Sequence, residues 1–190
     1  MKFKALAVAT VLAVGASLAS AQTSTWKFDS AHSSADFVIR HMGISNVHGH
    51  FGNVSGTINL DDKDITKSSV KATVDTTTVD TGVEQRNTHL KSADFFDVAK
   101  YPDMTFVSKQ LVKKDGKLEL IGDLTMHGVT KSVTLDLDGP SQVMVDPKGV
   151  SHRGFSATTS IHRADFGLTY GNGILGDDVK VSLDVEAIKQ

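Results

Sequence analysis

Beyond its N-terminal segment, the chain is predicted to be all-β, with about eight antiparallel strands closed into a barrel and one short helical element. Three observations carry that expectation. Apolar and polar residues alternate with a period of two, the pattern of strands buried on one face. Turn-forming residues break the alternating runs at short intervals. One stretch, Val83 to Phe96, departs from alternation in the manner of a helix, with apolar Val83, Leu90, Ala93 and Phe96 among polar residues.

Taken in order, strands are expected near 25–29, 34–41, 51–60, 67–75 and 103–113. The later ones show their two faces residue by residue. Leu118, Leu120, Gly122, Leu124 and Met126 oppose Lys117, Glu119, Ile121, Asp123 and Thr125. Val133, Leu135 and Leu137 alternate with Thr134, Asp136 and Asp138, and Phe155, Ala157, Thr159 and Ile161 with Ser156, Thr158, Ser160 and His162. Val179, Val181, Leu183, Val185 and Ala187 face away from Lys180, Ser182, Asp184 and Glu186. Asp115-Gly116 joins two alternating runs as a tight hairpin. Loops are expected at 61–64, at Gly139-Pro140 and at 146–149.

A sheet that is apolar on one face removes its exposed edges by closing on itself. Eight strands leave an interior that side chains fill or that holds one small ligand. The modest inward residues Ala157, Thr159, Gly122, Val181 and Ala187 favour an open interior. A solid-core sandwich of the same strands fits the periodicity too.

The first residues set the compartment. Met1-Lys2-Phe3-Lys4 is a short positive segment, Ala5 to Leu18 is apolar, and Ala19-Ser20-Ala21 is a small-x-small cleavage site. That is the layout of a secretory signal peptide spanning residues 1–21, so the mature domain is expected to span 22–190 in the periplasm. The apolar run is diluted by Gly15 and Ser17 and is too short for a stable membrane span. With no Cys in the chain, neither a disulfide nor a cysteine-bound lipid or metal is available. Removing Lys2 and Lys4 takes the formal charge from −2 to −4. An acidic chain without a basic tract argues against nucleic-acid partners.

Motifs for catalysis or cofactors are weak. His48 and His50 share one strand face near His32 and His41 in sequence, but no third metal ligand is defined, and no metal is expected. Gly171-Asn172-Gly173-Ile174-Leu175-Gly176 has the form of a dinucleotide loop, yet an alternating strand rather than a helix follows it. It reads as a flexible loop at a barrel mouth, and no cofactor is expected. No nucleophile elbow or metalloprotease helix motif is present. Asp29 and His32 can meet across a turn, Arg163 with Asp165 reads as a structural ion pair, and Arg86, His89 and Lys91 beside Phe95-Phe96 form the best polar cluster.

Four stretches in order resemble the YceI-like family of periplasmic lipid-binding barrels: Trp26 to Ser33 continuing to Phe37-Val38-Ile39-Arg40-His41; Thr81-Gly82 with Arg86 to Ser92, Phe95 to Val98 and Tyr101 to Phe106; Gly122 to Thr130; and Arg163 to Gly167. Asn87 stands where many relatives have Asp. The resemblance implies a lipocalin-like, eight-stranded antiparallel barrel, with a short helical element at one mouth, around a polyisoprenoid, an isoprenoid quinone or a similar amphiphile. The candidate wall is Phe37, Ile39, Phe95, Phe96, Phe106, Leu118, Leu120, Leu124, Leu135, Phe155, Ile161 and Leu183, with Arg86 and His89 at the head group. A non-enzymatic carrier of a long-chain isoprenoid lipid is the leading expectation. An enzyme acting on a lipid head group at the mouth is the rival, and a homodimer or filled-barrel oligomer is compatible with the same pattern.

Overall fold

The computed structural model describes residues 23–190. The expected export signal and the expected mature start at Gln22 lie outside them. Eleven strand segments form one antiparallel sheet: β1 (Thr23–Phe28), β2 (Ser34–His41), β3 (Ser45–Phe51), β4 (Val54–Asp61), β5 (Ser69–Asp75), β6 (Asp103–Lys114), β7 (Lys117–Met126), β8 (Val129–Asp138), β9 (Met144–Val145), β10 (Ser151–His162) and β11 (Leu175–Lys189). The single α-helix of the described residues, α1, spans Glu84–Lys91.

These segments make an eight-stranded closed barrel. β1 and β2 are one stave interrupted by a 3-10 turn at Ser30–His32, and β3 and β4 are one stave interrupted at Gly52-Asn53. β2 pairs with β3 through Ala35↔Phe51, and β1 with β4 through Trp26↔Ile58, so the two halves continue one long hairpin. Each next stave then pairs with its neighbour through β5, β6, β7, β8, β10 and β11. β11 closes the ring by pairing with β2 at Leu183↔Ala35 and with β1 at Phe28↔Ala187. The seam between β8 and β10 is short, from Asp136↔Thr158 to Asp138↔Ser156.

The inward faces expected from alternation pack in three layers. Trp26, Ile58, Leu60 and Ala187 close one end. Phe106, Leu111, Leu120, Leu135 and Ala157 form the middle. Phe51, Val54, Val79, Met104, Met126 and Phe166 pack at the other end, against Leu90 and Phe96 of the helical segment. The Trp26 indole donates to the Ser24 hydroxyl at 2.8 Å, which satisfies its buried N–H, and the Arg153 guanidinium stacks 5.3 Å from its ring.

Glycine plays a different part from the one expected. Gly122 does not open the interior: the Phe106 ring lies where a Gly122 side chain would stand, and the Phe37 ring covers Gly49, its cross-strand partner, in the same way. Both glycines are needed for close approach of an aromatic ring. Tight hairpins form at Asp115-Gly116, as expected, and also at Met42-Gly43 and His127-Gly128, each with positive φ at both residues.

The helix is shorter than the Val83–Phe96 stretch. The Ser92 backbone N–H and hydroxyl both bond the His89 carbonyl and end it. Phe95 and Phe96 lie in the turns that follow, where Phe96 N–H reaches back to the Leu90 carbonyl. Among the described residues, no helix is long and apolar enough to cross a membrane.

Candidate functional site

The barrel encloses a cavity of about 540 Å³, within the ~300–1,000 Å³ typical of small-molecule sites. It extends from Leu60, Ile65, Leu137 and Pro140 at one end to His41, Thr81, Arg86, His89 and Tyr170 at the other. Its wall follows from alternation: Val179, Val181, Leu183 and Val185 of β11 face it, as do Phe155, Ala157, Thr159 and Ile161 of β10.

The structure brings nearly all the sequence-proposed residues to this cavity. Phe37, Ile39, Phe95, Phe96, Phe106, Leu120, Leu124, Leu135, Phe155, Ile161, Leu183, Arg86 and His89 line it. Leu118 does not. It lies two residues from the Asp115-Gly116 turn and packs against the Leu111–Leu120–Leu135 layer. Lys91 also stays out of the cavity lining, and its charge acts on Asp75 instead.

The polar groups cluster where α1 meets the barrel. Arg86 donates from Nε to the Thr81 hydroxyl at 2.7 Å and from Nη2 to the Thr81 carbonyl at 2.8 Å. Among the described residues it has no ion-pair partner, so a half-buried guanidinium borders an apolar space with unspent N–H capacity. His89 Nε2 lies 2.9 Å from Asp94 Oδ2. Its ring meets Phe95 and Tyr170 edge-on, with centroids 5.0 and 4.9 Å away, and Phe95 lies 5.1 Å from Tyr170. Among the described residues no hydroxyl bonds the His89 imidazole, and the Ser92 hydroxyl is engaged with the His89 backbone carbonyl, so the His89–Asp94 pair activates no nucleophile in this arrangement.

Tyr170 and Leu168 also line the cavity, from the 167–174 loop, where strand alternation gives no signal for wall residues. That loop follows Arg163, which is buried at 4% exposure. Arg163 does not pair with Asp165. It donates to the carbonyls of Leu168, Tyr170 and Gly176 and to Asn172 Oδ1. Desolvation pushes its pKa down, and the carbonyls it gathers compensate part of that cost. Gly171 to Ile174 therefore belong to a mouth loop held from inside by one guanidinium, while Leu175 and Gly176, expected in that loop, already lie in β11. The histidines that lie near one another in sequence separate in the fold: His48 and His50 sit on β3 opposite Val38 and Asp36, whereas His32 lies beside Asp29 and Glu186.

A closed eight-stranded barrel around one apolar cavity, open beside a small polar cluster, belongs to the class of ligand-enclosing β-barrels. The YceI-like domain family matches residues 26–187. The chain belongs to that family. It is 40% identical over 179 residues to the protein YceI of Escherichia coli O157:H7, covering 92% of each chain. The crystal structure of a Campylobacter jejuni YceI protein superposes with a TM-score of 0.66 at 33% identity, covering 80% of this chain and 90% of that one. A polyisoprenoid binding domain from Saccharophagus degradans, implicated in plant cell wall breakdown, shares the fold with a TM-score of 0.65 at 17% identity, over 87% and 98% of the two chains.

Proposed function

We propose that this protein sequesters one long-chain isoprenoid-type lipid, a polyprenyl compound or an isoprenoid quinone, in the barrel and carries it without chemical change. The observation that carries the reading is the apolar cavity of about 540 Å³ whose polar groups gather at one end. A hydrocarbon tail gains ~0.8 kcal/mol for each CH2 withdrawn from water, which favours a long chain over a compact ligand in such a space. The unspent N–H groups of Arg86 suit an oxygen-bearing head, and Phe95, Tyr170 and His89 offer faces and edges to a ring or a first isoprene unit. The shared fold with a polyisoprenoid binding domain supports the same ligand class.

The site of action we propose is the periplasm, reached with the cleavable signal at residues 1–21. Among the described residues the His89 ring pairs with Asp94 and with no hydroxyl, which favours carriage over catalysis. Purified, delipidated protein incubated with vesicles containing an isoprenoid quinone tests this reading. Saturable uptake of one unaltered quinone per chain supports it, and a chemically converted lipid overturns it.

A further inference from the structure

Three segments at the cavity mouth carry large apolar side chains that the fold leaves in water. Met42 and Ile44 stand on the tight β2–β3 hairpin and are 62% and 78% exposed, and Ile174 of the 167–174 loop is 55% exposed. Tyr170 of the same loop and Val83, at the start of α1, are each about half exposed. The segments are joined. The Met42 N–H donates to the Ile174 carbonyl at 2.6 Å, Leu175 pairs with His41 in the sheet, and the Tyr170 ring meets His89 of α1. Tyr170 and Ile174 also line the cavity, so the apolar surface continues from the interior onto the rim.

Local structure does not call for these residues. Met42 has a φ of 52°, where Asn, Asp and Gly are favoured. Val83 occupies the N-cap of α1 and makes no side-chain capping bond, a position that favours Ser, Thr, Asn or Asp. Apolar side chains kept against both backbone preference and water mark a contact surface.

Charge and cargo indicate what meets it. Arg40 is fixed at the base of the hairpin, donating to the Gly43 carbonyl at 2.9 Å and to Asn46 Oδ1 at 3.0 Å. Among the described residues neither Arg40 nor Arg86 pairs with a carboxylate, so two guanidiniums flank the apolar tips with donors to spare. Guanidiniums set beside projecting Ile, Met and Tyr side chains match the layers of a bilayer surface, phosphate outside and hydrocarbon within. Glu84 beside Val83 and Asp94 beside His89 keep the rim from being strongly cationic. Apolar insertion therefore drives attachment, and anionic lipid is not required. A lipid also leaves an apolar interior most readily into another apolar phase, which a bilayer against the rim supplies.

We propose that Met42, Ile44, Val83, Tyr170 and Ile174 dock the cavity mouth on a phospholipid bilayer, where cargo is exchanged, a role that rests on the reading of the barrel as a lipid carrier. Flotation of the lipid-free protein with phosphatidylcholine vesicles tests it, and the wild type should float. Ile44→Asp and Ile174→Asp should each lower the bound fraction about tenfold or more, because each removes an inserted branched side chain and adds a charge that resists insertion. Met144→Asp changes a residue 68% exposed on β9, whose partner His152 lies towards the end closed by Trp26, and should float as the wild type does. Circular dichroism verifies that each variant is folded. Quinone uptake from dilute detergent needs no bilayer and should be intact in both rim variants. A wild type that takes up quinone from detergent yet does not float, or an equal loss in Met144→Asp, overturns the docking. A dimer in analytical ultracentrifugation that Ile44→Asp abolishes assigns the rim to a second copy of the chain and overturns it too. Failure to take up quinone even from detergent overturns carriage, and the exchange role with it.

Discussion

Asn87 ties the helix at the barrel mouth to the Asp80 turn: its Nδ2 donates to Asp80 Oδ1 at 2.8 Å, while its Oδ1 accepts the Thr81 N–H at 2.8 Å and the Thr81 hydroxyl at 2.7 Å. The side chain is buried, and both ends of its amide are used. The bond also acts on Asp80, whose carboxyl is held below its ordinary range, first by the Gly82 N–H and next by Asn87. Asp80 in turn exchanges two backbone hydrogen bonds with His50, so the helix bearing Arg86 and His89 is positioned from the β3–β4 stave.

The first prediction replaces that donor with an acceptor. Asn87→Asp sets a second carboxylate against Asp80 and should cost about 1–3 kcal/mol at pH 7, the penalty of a lost buried hydrogen bond. In the wild type, the depressed Asp80 pKa contributes stability above its unfolded value, and this is lost as pH falls through the folded value. In the variant the sign reverses. Like charge raises one carboxyl, so the deficit should shrink as pH falls from 7 towards 4. Urea denaturation at several pH values measures it, and a deficit independent of pH would refute the pairing.

A second prediction concerns the aromatic rings that lie over glycines. Gly49→Ala places a methyl group against the Phe37 ring and should destabilise the fold by ~1–3 kcal/mol through overpacking. Chemical denaturation reads this directly. Wild-type stability in the variant would show that Phe37 moves aside without cost.

Cavity volume gives a third. Leu120 and Leu135 are cross-strand partners, and both line the cavity. Leu120→Trp or Leu135→Trp should reduce bound lipid several-fold while the protein remains folded and β-rich, because the indole takes up ligand space. Lipid extraction and circular dichroism test it together. Unchanged lipid content with lowered stability would indicate a filled core at that layer.

The fourth separates a binding rim from a catalytic one. Arg86→Ala and His89→Ala should each weaken lipid binding by about 1–3 kcal/mol, the size of a lost hydrogen bond to a charged group, with the lipid unchanged. A general acid or base at His89 would instead show as a loss of turnover of ~100-fold or more. Mass spectrometry of the lipid after incubation distinguishes these outcomes.

Much of the barrel was legible because burial on one face of a strand imposes alternation. The inward residues of β7, β8, β10 and β11 follow from it directly, and so does most of the cavity wall. What alternation could not convey was depth along the barrel axis: Leu118 and Leu120 share one face, yet Leu120 lines the cavity and Leu118 packs beside the hairpin. Turn chemistry misled in two places. Met42 and His127 adopt φ of 52° and 51°, a conformation that Asn, Asp and Gly favour, so those hairpins carry a weak signal, and the alternation from Val133 to Leu137 marks only part of β8. Gly122 suggested open space because the ring filling it comes from Phe106 on the neighbouring strand. Arg163 suggested a salt bridge because Asp165 is close in sequence, whereas its partners are carbonyls brought together by the mouth loop.

Whether the barrel carries an intact isoprenoid lipid is decided by native mass spectrometry of the protein purified from its host. The expected spectrum shows a chain beginning at Gln22 with one bound lipid, released on activation and identified by fragmentation as a polyprenyl compound or an isoprenoid quinone. Protein that is lipid-free as purified and takes up no quinone from vesicles would contradict it.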